Sequence, residues 1–188
     1  WFLGIHGGMV IEGVRGPLSA AGLAENISAV QAGGVATNIL TRGFWTSFVV
    51  VGGGGITLSL LIAIFIFSKR EDHKSIAKFS LIPGICGINE PIIFGMPIVL
   101  NPILIVPFIL SPLISMGIGA LLISSGIVLP GTLDVGWTTP QPIKAFLSAG
   151  GSLGTTLSVI IVFIICVLIY LPFVNMANKQ TLEKEENK

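Results

Sequence analysis

Between Lys78 and Asp134 the chain carries one charged residue, Glu90, in a run dominated by Ile, Leu, Val, Phe, Pro and Gly. A segment so poor in charge cannot form the surface of a soluble domain, in which about a quarter of residues are charged. The whole 188-residue chain points the same way, with 52% hydrophobic residues, 10% charged residues and a mean hydropathy of +0.93. In hydrocarbon every backbone polar group needs an internal partner. The expected fold is therefore an all-α membrane protein, built of transmembrane helices with re-entrant hairpins. Glu90 is costly in such a medium, roughly 2.5–3.5 kcal/mol on the mild insertion scale for charged side chains. It also lies in a helix-breaking string, Pro83-Gly84-Ile85-Cys86-Gly87-Ile88-Asn89-Glu90-Pro91. A structural carboxylate belongs near a helix end facing water. A carboxylate at a break inside an apolar stretch faces a substrate or ion path, and that is the reading taken for Glu90.

Several function classes fall away. There is no basic block with interleaved aromatics, so no nucleic acid is expected. No P-loop, GxSxG, HExxH or Cys/His cluster occurs, so neither metal nor cofactor is expected. Cys86 and Cys166 are far apart in apolar surroundings and read as packed neutral thiols. The chain begins at Trp1, without Met, inside an apolar Gly-rich segment. That start reads as one cut from a longer protein.

Residues 44–68 are free of charge and long enough, at 1.5 Å per residue, to cross a bilayer core of about 30 Å. The run Gly52-Gly53-Gly54-Gly55 within them has two readings: close packing of neighbouring helices, or an unwound backbone satisfied by protein or ligand. Residues 155–176 form a second clear span. The loop 68–78 carries Lys69, Arg70, His73, Lys74 and Lys78 and is placed in the cytoplasm by the positive-inside rule. The hydrophilic tail, residues 179–188, is placed there too, so an even number of crossings separates the two. One span at 97–129, kinked or tilted by its prolines, satisfies that parity when residues 76–96 form a re-entrant hairpin. Its tip is placed at Asn89-Glu90-Pro91, with Pro91 helping to end the preceding arm. Pro140 and Pro142 argue against a helix across residues 130–151. Residues 1–43 read as the second half of a hairpin or a short helix, then a loop or amphipathic segment. Residues 44–178 read as the membrane domain that binds substrate.

Three constellations could carry chemistry. Glu90 can accept hydrogen bonds from hydroxyls of a sugar, or take a proton from one, and Asn89 can donate and accept beside it. His6, in Leu3-Gly4-Ile5-His6-Gly7-Gly8, is a second lone polar residue at a Gly-rich break, and two broken elements meeting at mid-membrane make a binding site. The alternative for His6 is a satisfied core residue. Trp137, in Trp137-Thr138-Thr139-Pro140, is either an interfacial anchor or a platform for a sugar face. Trp1 and Trp45 have the same two readings. Gly52 is a candidate for close backbone approach to substrate. Asp134 and Lys144 read as markers of water or headgroups, and Arg42 as a span-end anchor.

The order and spacing of Leu3-Gly4-Ile5-His6-Gly7, of Gly87-Ile88-Asn89-Glu90-Pro91-Ile92-Ile93-Phe94-Gly95, of Asn101-Pro102 and of Trp137-Thr138-Thr139-Pro140 resemble the IIC membrane permease of the phosphoenolpyruvate-dependent sugar phosphotransferase system. The branch resembled is the lactose/cellobiose/diacetylchitobiose family. The resemblance implies a homodimeric, multi-pass protein of the bacterial inner membrane that binds and translocates a disaccharide. It implies a separate IIB protein whose cysteine donates the phosphoryl group, and a IIA protein behind it, so neither Cys86 nor Cys166 is that donor. It further implies that Glu90 lies beside the hydroxyl to be phosphorylated and that His6 contacts the sugar. Two other readings compete: an ion-coupled secondary transporter with Glu90 as proton or cation site, and an assembly subunit with no transported ligand.

Overall fold

A computed structural model describes all residues except Phe2, Pro97, Leu100, Asn187 and Lys188, with side chains described as far as Lys179. The described residues form helices and irregular connections, with no strand among them. In chain order the helices are α1 (Gly7–Gln31), α2 (Arg42–Phe44), α3 (Thr57–Phe67), α4 (Glu71–Ile85), α5 (Glu90–Gly95), α6 (Ile105–Ser124), α7 (Ile143–Ser148) and α8 (Leu153–Glu186). A π-helical turn, Trp45–Val49, continues α2, and a 3-10 turn, Gly54–Ile56, leads into α3. Among the described residues three units are long and apolar enough to cross a membrane: Arg42–Phe67, α6, and Leu153–Lys179 of α8.

Two apolar clusters hold these elements together. In one, Leu60, Leu61 and Ile64 of α3 pack with Ile92 and Ile93 of α5 and Tyr170 of α8. In the other, Phe44, Phe48 and Val51 of the first span meet Ile123 of α6 and Val159, Val162 and Cys166 of α8. At one end the Asn178 side chain fastens α8 to the end of α3, donating to the Phe67 carbonyl at 3.0 Å and accepting from the Lys69 amide at 3.0 Å. Ser68 and the foot of α8 therefore lie on the same side, with α6 and α8 as the two crossings between them. This agrees with the parity expected from the charges.

Within residues 130–151, read as non-helical from Pro140 and Pro142, the short helix α7 starts directly after Pro142, since a proline just ahead of a helix removes none of its hydrogen bonds. The boundaries differ from the sequence expectation in four further places. Residues 1–43 hold one 25-residue helix, not a short one. Its glycines and Pro17 are poor helix formers, but tertiary contacts outweigh propensity. Gly22 lies under the Leu40 carbonyl, where a Cβ would sit at 2.2 Å. Asn26 donates to the carbonyls of Asn38 at 2.8 Å and Gly131 at 2.9 Å. The hairpin has arms at α4 and α5, so its turn is Cys86–Asn89 and Glu90 opens the second arm. Pro91 starts that arm rather than ending the first, since a proline in a first turn removes a donor that is unpaired anyway. The span expected at 97–129 contracts to α6, with Pro102 ahead of it, Pro107 in its first turn and Pro112 inside; Pro97 is outside the described residues. The last span continues as helix into the tail, through Glu186, while Asn187 and Lys188 lie outside the described residues.

Candidate functional site

His6 and Glu90 stand together: Nε2 of the imidazole is 3.7 Å from Oε1 of the carboxylate, each side chain a little over 40% exposed. They come from opposite ends of the chain's first half, and each opens a helix. His6 is the N-cap of α1, where its Nδ1 accepts the Met9 N–H at 3.1 Å. A capping acceptor of this kind satisfies one of the orphan donors of the first turn. The glycines of the Leu3-Gly4-Ile5-His6-Gly7-Gly8 motif make room for two rings. A Cβ on Gly7 would meet the Trp1 ring at 3.1 Å, and one on Gly8 would meet the imidazole at 3.3 Å. Trp1 lies over His6 with ring centroids 4.2 Å apart.

Below these rings the first span breaks. Gly52, Gly53 and Gly55 all have positive φ, and so does Ile56, at +53°. A β-branched residue in the left-handed region is a genuine outlier, with a cost of about 1–3 kcal/mol that the surroundings must offset. The surroundings do so by pairing each freed carbonyl. Thr57 Oγ1 donates to Gly52 at 3.2 Å, Asn89 Nδ2 to Gly54 at 3.1 Å, and Tyr170 OH to Gly55 at 2.7 Å, while the Ile56 amide donates to Gly53 at 3.1 Å. Of the two readings of the glycine run, the backbone is unwound, and protein also presses closely on it. A Cβ on Gly53 would lie 2.5 Å from Asn89 Cβ, one on Gly54 2.7 Å from Trp1 Nε1, and one on Gly55 2.3 Å from Phe108.

Trp1, His6, Gly54, Asn89 and Glu90 thus meet where two broken elements and the start of α1 come together. Asn89 is 4% exposed and holds the backbone of the break. Gly52 lies deeper, against Leu58 and the Gly84 carbonyl, and does not join Trp1, His6 and Glu90. Trp137 stands at the hairpin turn by its backbone, since a Cβ on Gly87 would meet its carbonyl at 3.5 Å, while its side chain is 63% exposed. Trp45 is covered by the Arg15 guanidinium, 4.6 Å above the ring. Arg42, read as a span-end anchor, sits at the start of the first span and pairs with Asp134 at 3.3 Å and Glu12 at 3.9 Å.

Lys144 overturns its sequence reading. It is 5% exposed, not in water or headgroups, and its ammonium donates to the Trp137 carbonyl. Burial pushes the amine below its ordinary value, because the charged form loses its hydration. Charge alone suggested an exposed lysine, and only the fold of residues 125–148 carries it inward. Tyr170 and Thr57 were likewise missed as partners of the glycine run. Tyr170 offered a signal, being the one tyrosine of the chain, set in an apolar span where its hydroxyl needs a buried acceptor.

The site is an open shelf rather than an enclosed chamber. A cavity of about 250 Å³ lies at the other end of the hairpin, lined by Arg70, Asp72, His73, Met96 and Asn101 among others. Chemically, the shelf offers one carboxylate, one imidazole and an indole face around a gap slightly too wide for a direct hydrogen bond. A hydroxyl oxygen beside the pair, about 2.8 Å from each atom, would bond both Nε2 and Oε1.

Comparison with known proteins places the chain among relatives. The family model described as "Phosphotransferase system, EIIC" matches residues 1–112. The lichenan permease IIC component of Bacillus subtilis (strain 168) is 37% identical over 188 residues, which is 100% of this chain and 41% of that protein. The lactose-specific EIICB component of Staphylococcus aureus (strain N315) is 32% identical over 188 residues, 100% of this chain and 33% of that protein. The crystal structure of the transporter ChbC, the IIC component from the N,N'-diacetylchitobiose-specific phosphotransferase system, superposes with a TM-score of 0.94 at 34% identity, covering 100% of this chain and 44% of that one. The chain therefore spans less than half the length of these relatives. With a family model over residues 1–112, relatives at 32–37% identity along the whole chain and a superposition at a TM-score of 0.94, the chain belongs to the EIIC family of the phosphotransferase system.

Proposed function

We propose that the protein acts as the sugar-binding part of a membrane permease of the phosphotransferase system, carrying a disaccharide of the cellobiose, chitobiose or lactose class. The observation that carries this is the His6–Glu90 pair at 3.7 Å, half-exposed and roofed by Trp1, where two helix breaks meet. Broken helices at membrane depth offer a polar ligand the groups that an unbroken helix withholds. Sugar rings suit the site because hydroxyls pair with carboxylate and imidazole while the Trp1 indole, and Trp137 beside the hairpin turn, offer apolar faces. Residues 44–178 form the substrate-binding membrane domain, Asn89 holds the break beside the ligand, and Gly52 supports it from below.

In this reading Glu90 is the catalytic residue. The attacking sugar oxygen forms a bond to phosphorus, the sulfur–phosphorus bond of a phosphorylated IIB cysteine breaks, and the hydroxyl proton passes to Glu90. A positioned base of this kind contributes about 10²–10⁴-fold. The partners are a IIB protein and, behind it, IIA; the relative named EIICB, whose name joins the C and B components, supports a IIB partner. The protein sits in the bacterial inner membrane as a multi-pass homodimer. The ion-coupled alternative is set aside, because the matched relatives are named as phosphotransferase components.

The test is Glu90→Gln, with disaccharide affinity and IIB-dependent phosphorylation measured on the same protein. Affinity within a few-fold of wild type and phosphorylation lowered 10²-fold or more are expected. Normal values for both would remove Glu90 from the mechanism, and wild-type protein that binds no disaccharide would overturn the sugar reading.

A further inference from the structure

We infer that the N-cap of α1 fixes His6 as the tautomer protonated on Nε2, making it a positioning donor to the reacting hydroxyl and leaving Glu90, of the pair, as the proton acceptor. The inference rests on the sugar reading above and assigns the acid–base roles within it.

The geometry is as follows. Met9 N–H points at Nδ1 from 3.1 Å, while also lying 3.1 Å from the His6 carbonyl. A backbone N–H can only donate, so Nδ1 presents its lone pair and the ring proton sits on Nε2. Gly8 leaves the ring room to lie back over the first turn, since a Cβ there would stand 3.3 Å from its Cε1, and Trp1 covers it. The ring is therefore held in place, with Nε2 on the Glu90 side, 3.7 Å from Oε1. That separation is too long for a direct hydrogen bond, and one oxygen about 2.8 Å from both atoms stands beside the line joining them rather than on it. A hydroxyl can accept from Nε2–H and donate to Oε1 at once, which orients it with its proton toward the carboxylate. His6 has no lone pair free to receive that proton.

The first test is nitrogen-15 NMR of selectively labelled histidine in the protein held in lipid nanodiscs at neutral pH, with His73→Gln to leave one histidine signal. A protonated Nε2 and an unprotonated Nδ1 are expected. A protonated Nδ1, or an imidazolium, would overturn the inference. This measurement needs no sugar, so it stands apart from the sugar reading. The second test compares His6→Asn with His6→Gln. Asparagine is among the best N-cap residues but is too short to reach Glu90, whereas glutamine places an amide N–H near the Nε2 position and loses the cap. Disaccharide affinity about tenfold or more weaker in His6→Asn, with His6→Gln retaining more of it, is expected. Wild-type affinity in His6→Asn would reduce His6 to a helix cap, and equal losses in both would reduce it to packing under Trp1; either result overturns the donor role. Wild-type protein without disaccharide affinity overturns the sugar reading and with it the donor role, while leaving the tautomer to the NMR result.

Discussion

The site turns on single atoms. Tyr170 spends its hydroxyl, fully buried, on the Gly55 carbonyl. Tyr170→Phe keeps the ring and strands that carbonyl, at a cost of about 1–3 kcal/mol. A fall in unfolding free energy of that size is expected in detergent, and unchanged stability would show that the carbonyl finds another donor. Lys144 presents the opposite case. A buried ammonium carries a desolvation cost that its contacts do not always recover. Lys144→Met keeps the stem and removes the charge, so global stability is expected to hold. The Trp137 carbonyl loses its donor, however, so backbone amides of residues 136–139 should exchange with deuterium faster than in wild type. Slower or unchanged exchange there would mean that Lys144 does not fasten the segment. Of these residues, Glu90 and His6 were legible in the sequence because each is a lone polar group beside helix breakers. Lys144 was not, because burial depends on where a loop folds back.

At the scale of elements, the break in the first span is the feature on which the site is built. Gly53 has φ +110° and faces Asn89 at a distance no side chain tolerates. Gly53→Ala combines left-handed strain with that overlap, and a loss of about 1–3 kcal/mol or more is expected from the backbone term alone. Stability and, on the proposed function, sugar affinity should fall together; wild-type values for both would mean the glycine is merely tolerated. At the hairpin foot, His73 lies in the first turn of α4 beside Arg70 and Asp72. Burial, and then the Arg70 charge, hold its imidazole below the ordinary 6.5, with Asp72 opposing. The unfolded chain therefore takes up a proton near pH 6.5 that the folded chain refuses. Stability is lost as pH falls below 6.5. Thermal unfolding from pH 7.5 to 5.5 should show a smaller pH-dependent loss in His73→Gln than in wild type, and equal slopes would remove His73 from that dependence. The hairpin itself was legible from Pro83, Gly87 and Pro91, but its turn was placed too late in the chain. Pro91 fits the start of a helix as well as the end of one, and only the packing of Ile92 and Ile93 into the core decides between them.

At the scale of the whole molecule, the two hydrophilic ends of the membrane unit are joined through Asn178. Cysteines placed at His73 and Lys179 are both expected to be shielded from an impermeant thiol reagent added outside intact cells, and labelled once the membrane is opened. Labelling of one alone from outside would contradict both the charge rule and the Asn178 contact. The sequence by itself determined the medium, the three spans and the two lone polar residues, His6 and Glu90, that the fold brings together. It did so because hydrocarbon admits so few kinds of segment that length, charge and helix breakers nearly specify each one. What only the tertiary structure decided is which groups meet. The 25-residue α1 persists through its glycines and Pro17 with Asn26 bonded to distant carbonyls, Asn89 serves the backbone of another span, and Lys144 is buried. Each outcome rests on a contact between residues far apart in the chain, and such contacts depend on how the helices pack, which no local pattern of residues encodes.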